Sequence, residues 1–366
     1  MSFRRPLSFP HGAVVPNRLV VAPMTTTQSL PDGRLSPEEA AWLDRVGHEG
    51  YGMLLTCAAA ISRSSIAFAQ QLSFGDDRVI ADLAPLTARI RATGTLPLAQ
   101  LCHGGSRALP ALTGQPNRSA SAYALPVPGW VEPVPFTEAE LRQVIQDHVA
   151  AARRAAAAGF AGIELHGAHG YLFTQFLSTQ SNRRTDAWGG ALANRARLLR
   201  EVLRAVRQAL PRTFLVGVRL SMEGAGLETG LDLDENIQVL RWLEEDGLDY
   251  GHVSLMNAAA PGTKYPADPL LARVRAGVGP SLKLMVAGGV YSAAEADQAL
   301  ALGADLVALG RAVLGNEQIP ARLSRGEALV RTPYRREQLS ARGISPAFLH
   351  YLTTAGPLAA MNIVEK

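Results

Sequence analysis

Residues 159–172 read Gly159-Phe160-Ala161-Gly162-Ile163-Glu164-Leu165-His166-Gly167-Ala168-His169-Gly170-Tyr171-Leu172. The alanine-rich stretch before them opens on Thr137-Glu138-Ala139-Glu140, where Thr137 and Glu140 can satisfy each other's free backbone donors at a helix start. The helical pattern runs to Ala158, and Gly159 fits its C-terminal stop. An apolar run, Gly162–Leu165, follows at once and ends in two histidines three residues apart, with a tyrosine two residues later. A helix thus feeds a buried strand, and the strand opens into a loop that carries the reactive side chains.

The same rhythm extends in both directions. Apolar runs rich in Val, Ile and Leu occur at Leu19–Ala22, Gly52–Cys57, Leu96–Leu101, Gly162–Leu165, Leu215–Leu220, Tyr250–Leu255, Lys283–Ala287 and Leu306–Leu309. Near-continuous apolar runs are what parallel strands covered on both faces require. Helix signals lie between them. Ser36-Pro37-Glu38-Glu39 reads as a capping box with proline in the first turn. Ser292-Ala293-Ala294-Glu295 opens another helix, stopped by Gly303. Ala191–Leu210 and Asp234–Glu245 are amphipathic at helical period, and Asp268-Pro269 reads as a cap and first turn.

Eight βα units predict an α/β fold, a (β/α)₈ TIM barrel. A doubly wound sheet would want a Gly-x-Gly-x-x-Gly turn after its first strand. Here that strand runs into Pro23-Met24-Thr25-Thr26-Thr27. Residues 1–330 are expected to form the barrel as a single domain, with a long loop over Gly104–Phe136 after strand three. Residues 331–366 are expected to be a C-terminal extension with a helix near Arg335–Arg342. It would pack on the barrel or on a neighbouring subunit, which leaves a homo-oligomer open.

Composition narrows the function classes. Hydrophobic residues make up 47% and charged residues 19%, a globular balance. The formal net charge is +4, but the only lysines are Lys264, Lys283 and Lys366 and the arginines are scattered. No basic stripe interleaved with aromatics appears, so nucleic acid is not an expected partner. No apolar run approaches the roughly 20 residues of a membrane helix, and no secretory signal is visible at the start. The two cysteines, Cys57 and Cys102, make neither a disulfide framework nor a metal motif. A soluble, reducing, cytoplasmic setting is the expectation.

Barrel active sites lie at the C-terminal ends of the strands. The residues there are Pro23, Met24 and Thr25, then Cys57 and Ala58, then Gln100 to His103, then His166 and His169. Arg219 follows on strand five, Gly288-Gly289 after strand seven and Gly310-Arg311 after strand eight. The last two pairs stand where barrels bind phosphate, by backbone N–H groups, a helix start and an arginine. Arg219 is a lone charge in an apolar run, either paired with a carboxylate such as Glu164 or facing an electron-rich cofactor. Gln100 is either a satisfied core amide or a reader of a heterocycle's edge. His166 and His169 could stabilise a developing oxyanion with Tyr171 as proton donor, could form a metal pair, or could simply lie in a loop.

Together the motifs resemble the Old Yellow Enzyme family of FMN-dependent ene-reductases. They are Asn17-Arg18-Leu19-Val20-Val21-Ala22-Pro23-Met24-Thr25, Gln100-Leu101-Cys102-His103-Gly104-Gly105, the 159–172 block, Gln175-Phe176-Leu177-Ser178, Asn182–Gly190, Asn194-Arg195, Gly217–Ser221 and Leu309-Gly310-Arg311. They span roughly residues 6–325, and the 164–195 block is the most specific. The resemblance implies one noncovalently bound FMN, reduced by NADPH or NADH. Ala22, Pro23, Met24, Thr25 and Ala58 would line the flavin, and Gln100 and Arg219 would contact its pyrimidine edge. Gly288, Gly289, Gly310 and Arg311 would hold the phosphate. His166 and His169 would grip the substrate's carbonyl or nitro oxygen, and Tyr171 would deliver a proton. The substrates implied are small activated alkenes.

Some positions depart from branches of that family. Thr25 stands where some members have a flavin-tuning cysteine, and Thr27 where some have a substrate-contacting tyrosine. Thr27 is kept as a substrate-pocket candidate. The family's iron–sulfur branch needs a cysteine cluster that two isolated cysteines do not provide. Other chemistries on the same barrel are a Schiff-base lyase using Lys283 or Lys264, and a metal-dependent hydrolase using His103, His166 and His169.

Overall fold

The eight apolar runs are eight parallel strands that close on themselves. They are β1 (Leu19–Val21), β2 (Met53–Ala60), β3 (Leu96–Cys102), β4 (Gly162–Gly167), β5 (Leu215–Leu220), β6 (Tyr250–Ser254), β7 (Lys283–Ala287) and β8 (Leu306–Leu309). Closure is made by β8 against β1, where Val307, Ala308 and Leu309 pair with Leu19, Val20 and Val21. The computed structural model describes residues 1–354 except Ala225 and Leu227. Every residue of β1, β2, β4, β5 and β8 is buried, as strands covered on both faces demand.

The outer ring comprises α1 (Pro37–Gly47), α2 (Arg78–Ala92), α3 (Glu138–Ala157), α4 (Arg197–Ala209), α5 (Leu233–Glu245), α6 (Leu270–Gly277) and α7 (Ala293–Ala301). Two short helices, Arg311–Gly315 and Ile319–Ser324, follow β8. The caps of α3 and α7 match the sequence reading. Thr137 and Glu140 satisfy each other's backbone donors, and Ser292 accepts from Glu295 N–H. Three local expectations change. Ser36 does cap α1, but Glu39 does not fold back on it; its buried carboxylate accepts hydrogen bonds from Thr26, Ser29 and Cys57. Asp268 caps nothing and pairs with Arg273 at 3.4 Å. The 191–210 helix breaks at Ala196 into Leu192–Arg195 and α4. Arg195 is drawn inward there to Glu235 at 2.6 Å and to the carbonyls of Leu177 and Gly190.

Two apolar layers result. One lies between the strands and the helix ring. The other fills the barrel's lower interior with Val20, Met53, Leu55, Leu98, Leu215, Met285 and Leu306. An N-terminal hairpin, Leu7–Ser8 paired with Val14–Val15, plugs the bottom, and the Phe9 ring lies 6.5 Å from Tyr250. The floor is therefore sealed, and only the C-terminal ends of the strands open to solvent.

The 104–136 segment is structured. It carries a short helix, Pro110–Thr113, and two-residue strands Arg118–Ser119 and Val134–Pro135 that pair. Tyr123 and Trp130 stack within it, with ring centroids 5.4 Å apart. The segment after Arg331 returns to the barrel. Helices Arg336–Ala341 and Pro346–Thr354 bury Leu339, Phe348, Leu349 and Leu352 in the outer layer. Phe348 meets Trp42 edge-on at 6.1 Å, and Arg342 pairs with Glu49 at 2.8 Å. The expected extension thus packs on its own barrel as far as residue 354; residues 355–366 lie outside the described residues.

Candidate active site

Register decides what faces the open end. It sets Gln100 of β3 opposite Glu164 of β4, and His166 of β4 opposite Arg219 of β5, which is opposite His252 of β6. These inward residues form a polar layer above the apolar floor. Glu164 is fully buried and accepts from Gln100 Nε2 at 2.8 Å, while its other oxygen meets His252 Nδ1 at 2.9 Å. Burial alone would raise the Glu164 carboxyl, but His252, Arg219 and Gln100 outweigh it and hold the group below its ordinary value.

Above this layer lies a cavity lined by Ala22, Pro23, Met24, Thr25, Ala58, Gln100, His166, His169, Tyr171, Arg219, Gly288, Gly289, Gly310 and Arg311. The structure therefore brings these candidates together at one strand-end opening. Arg219 is not in ion-pair contact with Glu164. Its Nη2 donates to Ser254 Oγ at 3.0 Å, and its Nε is buried without a partner. Gln100 is tied to Glu164 and also borders the cavity, so its two readings are compatible. Thr27 is not on the cavity wall. Its hydroxyl donates to Thr26 O and toward Ala347 O, anchoring the C-terminal segment instead.

The histidines form an edge-to-face pair with ring centroids 5.1 Å apart, and the Tyr171 ring lies 4.9 Å from His166. Burial pushes both histidines well below their ordinary value, helped by the fields of His169 and Arg219 at His166 and of Arg219 and His252 at His169. They are neutral donors, not cations. Ser254 Oγ accepts from Arg219 and can give its own proton to His169 Nε2, 2.9 Å away, which leaves the His169 proton on Nδ1. His166 Nδ1 is buried without a partner. His169 adopts φ +60°, a conformation costly for a non-glycine residue, and is held there by Ser221 Oγ and by Arg107, which donates to its carbonyl at 2.6 Å. The Arg107 guanidinium also covers the Tyr171 ring at 4.9 Å. Burial raises the Tyr171 phenol above its ordinary value, so it keeps its proton.

At the other end, Gly289 adopts φ +65°, and a Cβ there would stand 3.3 Å from Arg311 Nη2. A Cβ on Gly288 would clash with Ala258. One on Gly310 would stand 3.7 Å from Met24 Sδ and 3.8 Å from Ala22 Cβ, at the cavity floor. Arg311 has no carboxylate partner among the described residues; its guanidinium makes a long 3.4 Å approach to Met256 O. Orphaned donors at Arg219 and His166 and a glycine cradle beside a free guanidinium suit a flat, polar-edged heterocycle carrying a phosphate.

The competing chemistries find no site. Lys264 is committed to Asp232 and Asp234 at 2.6 and 2.8 Å, and Lys283 sits at the opposite, N-terminal end of β7. His103 turns away from the cavity, accepting from Gly105 N–H and packing on Phe136, and burial pushes its pKa down to about 3. Among the described residues no group of three or more His, Cys, Asp or Glu side chains is arranged to hold a metal ion.

The family model for the NADH:flavin oxidoreductase / NADH oxidase family matches residues 5–329. The chain belongs to this family. As a flavin oxidoreductase of the family it takes FMN as cofactor, with NADH or NADPH as the linked nucleotide. It is 34% identical over 317 residues to the probable NADH-dependent flavin oxidoreductase YqiG of Bacillus subtilis (strain 168), covering 84% of each chain. It is 33% identical over 335 residues to the NADH:fumarate oxidoreductase of Klebsiella pneumoniae (strain 342), covering 89% of this chain but only 36% of that protein's length. Its fold resembles that of the Old Yellow Enzyme homologue from Zymomonas mobilis, with TM-score 0.81, 25% identity, and 93% and 96% of the two chains covered. Morphinone reductase in complex with tetrahydroNAD gives TM-score 0.79 and 25% identity, with 93% and 94% covered.

Sequence reasoning missed several wall residues of this flavin oxidoreductase. Ser254 ends β6 and follows from the same strand-end rule as the others. Arg107, in the turn after β3, carries no periodic signal. Tyr351 enters the wall from the C-terminal helix, and nothing in its local pattern announces it.

Proposed function

We propose that the protein reduces the C=C bond of α,β-unsaturated carbonyl or nitro compounds at the expense of NAD(P)H. The observation that carries the reading is the edge-to-face histidine pair beside Tyr171, in the same cavity as the glycine–arginine cradle. When bound and reduced by NAD(P)H, FMN would supply a hydride to the β-carbon of the alkene.

The chain's own residues do the rest. Ala22, Pro23, Met24, Thr25 and Ala58 would line the ring system. Gln100, with its amide held by Glu164, and Arg219 would contact its pyrimidine edge, where a guanidinium favours negative charge. Gly288, Gly289, Gly310 and Arg311 would hold the phosphate. His166 and His169 donate hydrogen bonds to the substrate oxygen as negative charge develops on it. Because both are uncharged, their help consists of directed N–H bonds. Tyr171 gives its proton to the α-carbon. The two free, buried cysteines suit a reducing, cytoplasmic location.

The test uses the purified holoprotein without oxygen. NADPH or NADH should bleach its flavin absorbance, and cyclohexenone should restore it. A flavin that is reduced but not reoxidised by any enone or nitroalkene would refute the substrate class.

A further inference from the structure

The turn after β3 brings a cation to the proton donor. Gly105 adopts φ +61°, and a Cβ there would collide with the Gln175 amide. That amide is buried and joins two loops. Gln175 Oε1 accepts from Ser106 N–H at 2.9 Å, and Nε2 donates to Gly104 O at 3.2 Å and to Gly170 O at 2.8 Å. The turn that ends in Arg107 is thereby fixed against the loop that carries His169 and Tyr171. The Arg107 guanidinium carbon then stands 4.9 Å from the centre of the Tyr171 ring, while Nη1 donates to His169 O at 2.6 Å. Among the described residues Arg107 has no ion-pair partner.

Reduction of an enone sets negative charge in two places in turn. Hydride addition to the β-carbon puts it on the oxygen held by His166 and His169. The Tyr171 O–H bond then breaks as the bond from the α-carbon to hydrogen forms, and the charge passes to the Tyr171 phenolate until water returns a proton. Most of the surroundings oppose that phenolate. Cys102 of β3, Tyr351 of the C-terminal helix and Glu228 of the loop after β5 all favour the neutral phenol, as burial does. The His166 ring, 4.9 Å away, is uncharged. Of these groups Arg107 alone favours the anion. A guanidinium already drawn to a ring's face is drawn more strongly when that ring becomes anionic.

We propose that Arg107 is a positioning residue whose charge stabilises the phenolate left on Tyr171 as its proton moves to the α-carbon. The proposal rests on the C=C-reducing reading above. Arg107 then matters where the product must be protonated on carbon, and far less where the product is itself a stable anion. A nitroalkene supplies the second case. Its nitronate spreads the charge over two oxygens and needs no proton from Tyr171 before the flavin is reoxidised.

The experiment follows reoxidation of the photochemically reduced holoprotein by stopped flow, so that the nucleotide step does not enter. Arg107→Gln should slow reoxidation by cyclohexenone about tenfold, and reoxidation by nitrocyclohexene no more than about twofold. Arg107→Lys, which keeps the charge, should recover most of the enone rate. Added to Tyr171→Phe, Arg107→Gln should slow the enone no further than Tyr171→Phe alone. Equal slowing of both alkenes would make Arg107 only a support for His169 and would overturn the proposal. So would a lysine variant no faster than the glutamine variant, or additive losses in the double variant. An unaltered protein whose reduced flavin is reoxidised by neither alkene, or a Tyr171→Phe variant as fast as the native protein, would instead remove the underlying reading, and the proposal with it.

Discussion

At the scale of single residues, the site separates into groups that hold charge and groups that move a proton. His166→Ala combined with His169→Ala should leave FMN bound and cut enone reduction by about a hundredfold or more, as expected for lost oxyanion donors. Steady-state kinetics with the flavin content measured separately will check this. Tyr171→Phe should slow reoxidation by an enone about a hundredfold or more while flavin reduction by NAD(P)H stays intact, which stopped-flow traces of the two half-reactions can resolve. The pH profile follows from the shifts. Both histidines are held well below their ordinary value, so they stay neutral, and kcat/KM for an enone should be flat between about pH 5 and 8. An inflection near the ordinary histidine value would contradict neutral donors. Arg311→Ala removes a charge-assisted contact worth about 1.5–3 kcal/mol, so FMN should dissociate roughly tenfold to a hundredfold more readily, as followed by recovery of free-flavin fluorescence. Most of this set was legible because the residues that touch a small ligand sit at strand ends, where a polar side chain interrupts an apolar run. Arg107 was not, because a turn places it by tertiary contact alone. Thr27 sits beside the right strand end, but its positive φ of 50° turns its hydroxyl toward Ala347.

At the scale of elements, strand order and extent followed closely from composition, since a strand buried on both faces leaves a continuous apolar signature. Helix limits were less legible. Ala191–Leu210 keeps helical periodicity across a break forced by a distant partner, Glu235, and no local pattern encodes a partner 40 residues away. Glu39 is the sharper case. Its position invites a capping role, yet the fold uses it to join α1, the loop after β1 and β2 through Thr26, Ser29 and Cys57. Burial raises the Glu39 carboxyl above its ordinary value, and the hydrogen bonds from Ser29, Cys57 and Thr26 only partly oppose that. The folded chain therefore binds this proton more tightly than the unfolded chain. The stabilisation is complete below the unfolded value, near about 4.3, and is lost as pH rises through the folded value. Glu39→Gln should accordingly gain stability relative to the native protein as pH increases from about 4 to 8. Urea midpoints at the two ends of that range will show it; a Gln variant that loses stability relative to the native protein as pH rises would be the wrong sign.

At the scale of the molecule, residues 331–354 share the outer apolar layer with the helix ring and supply Tyr351 to the cavity wall. We propose that the barrel and this segment form one cooperative unit. Phe348→Ala should then destabilise the whole chain by about 3–5 kcal/mol, in a single transition seen alike by tryptophan fluorescence and by loss of FMN. Two separated transitions would make the segment an independent appendage. Its docking could not be read from sequence, because an apolar helix face states only that it is covered, not by what.

The seam between β8 and β1 carries a consequence for the order of events during synthesis. Ala22 and Met24 are synthesised well before Gly310, yet the three stand side by side at the cavity floor. A nascent chain interrupted before residue 306 would already contain His166, His169 and Tyr171, but not the strand that closes the ring. The cradle for a phosphate is thus completed only after the histidine pair and Tyr171. On the proposed phosphate site, FMN would be retained only once β8 has closed on β1, so yellow colour would report a closed ring.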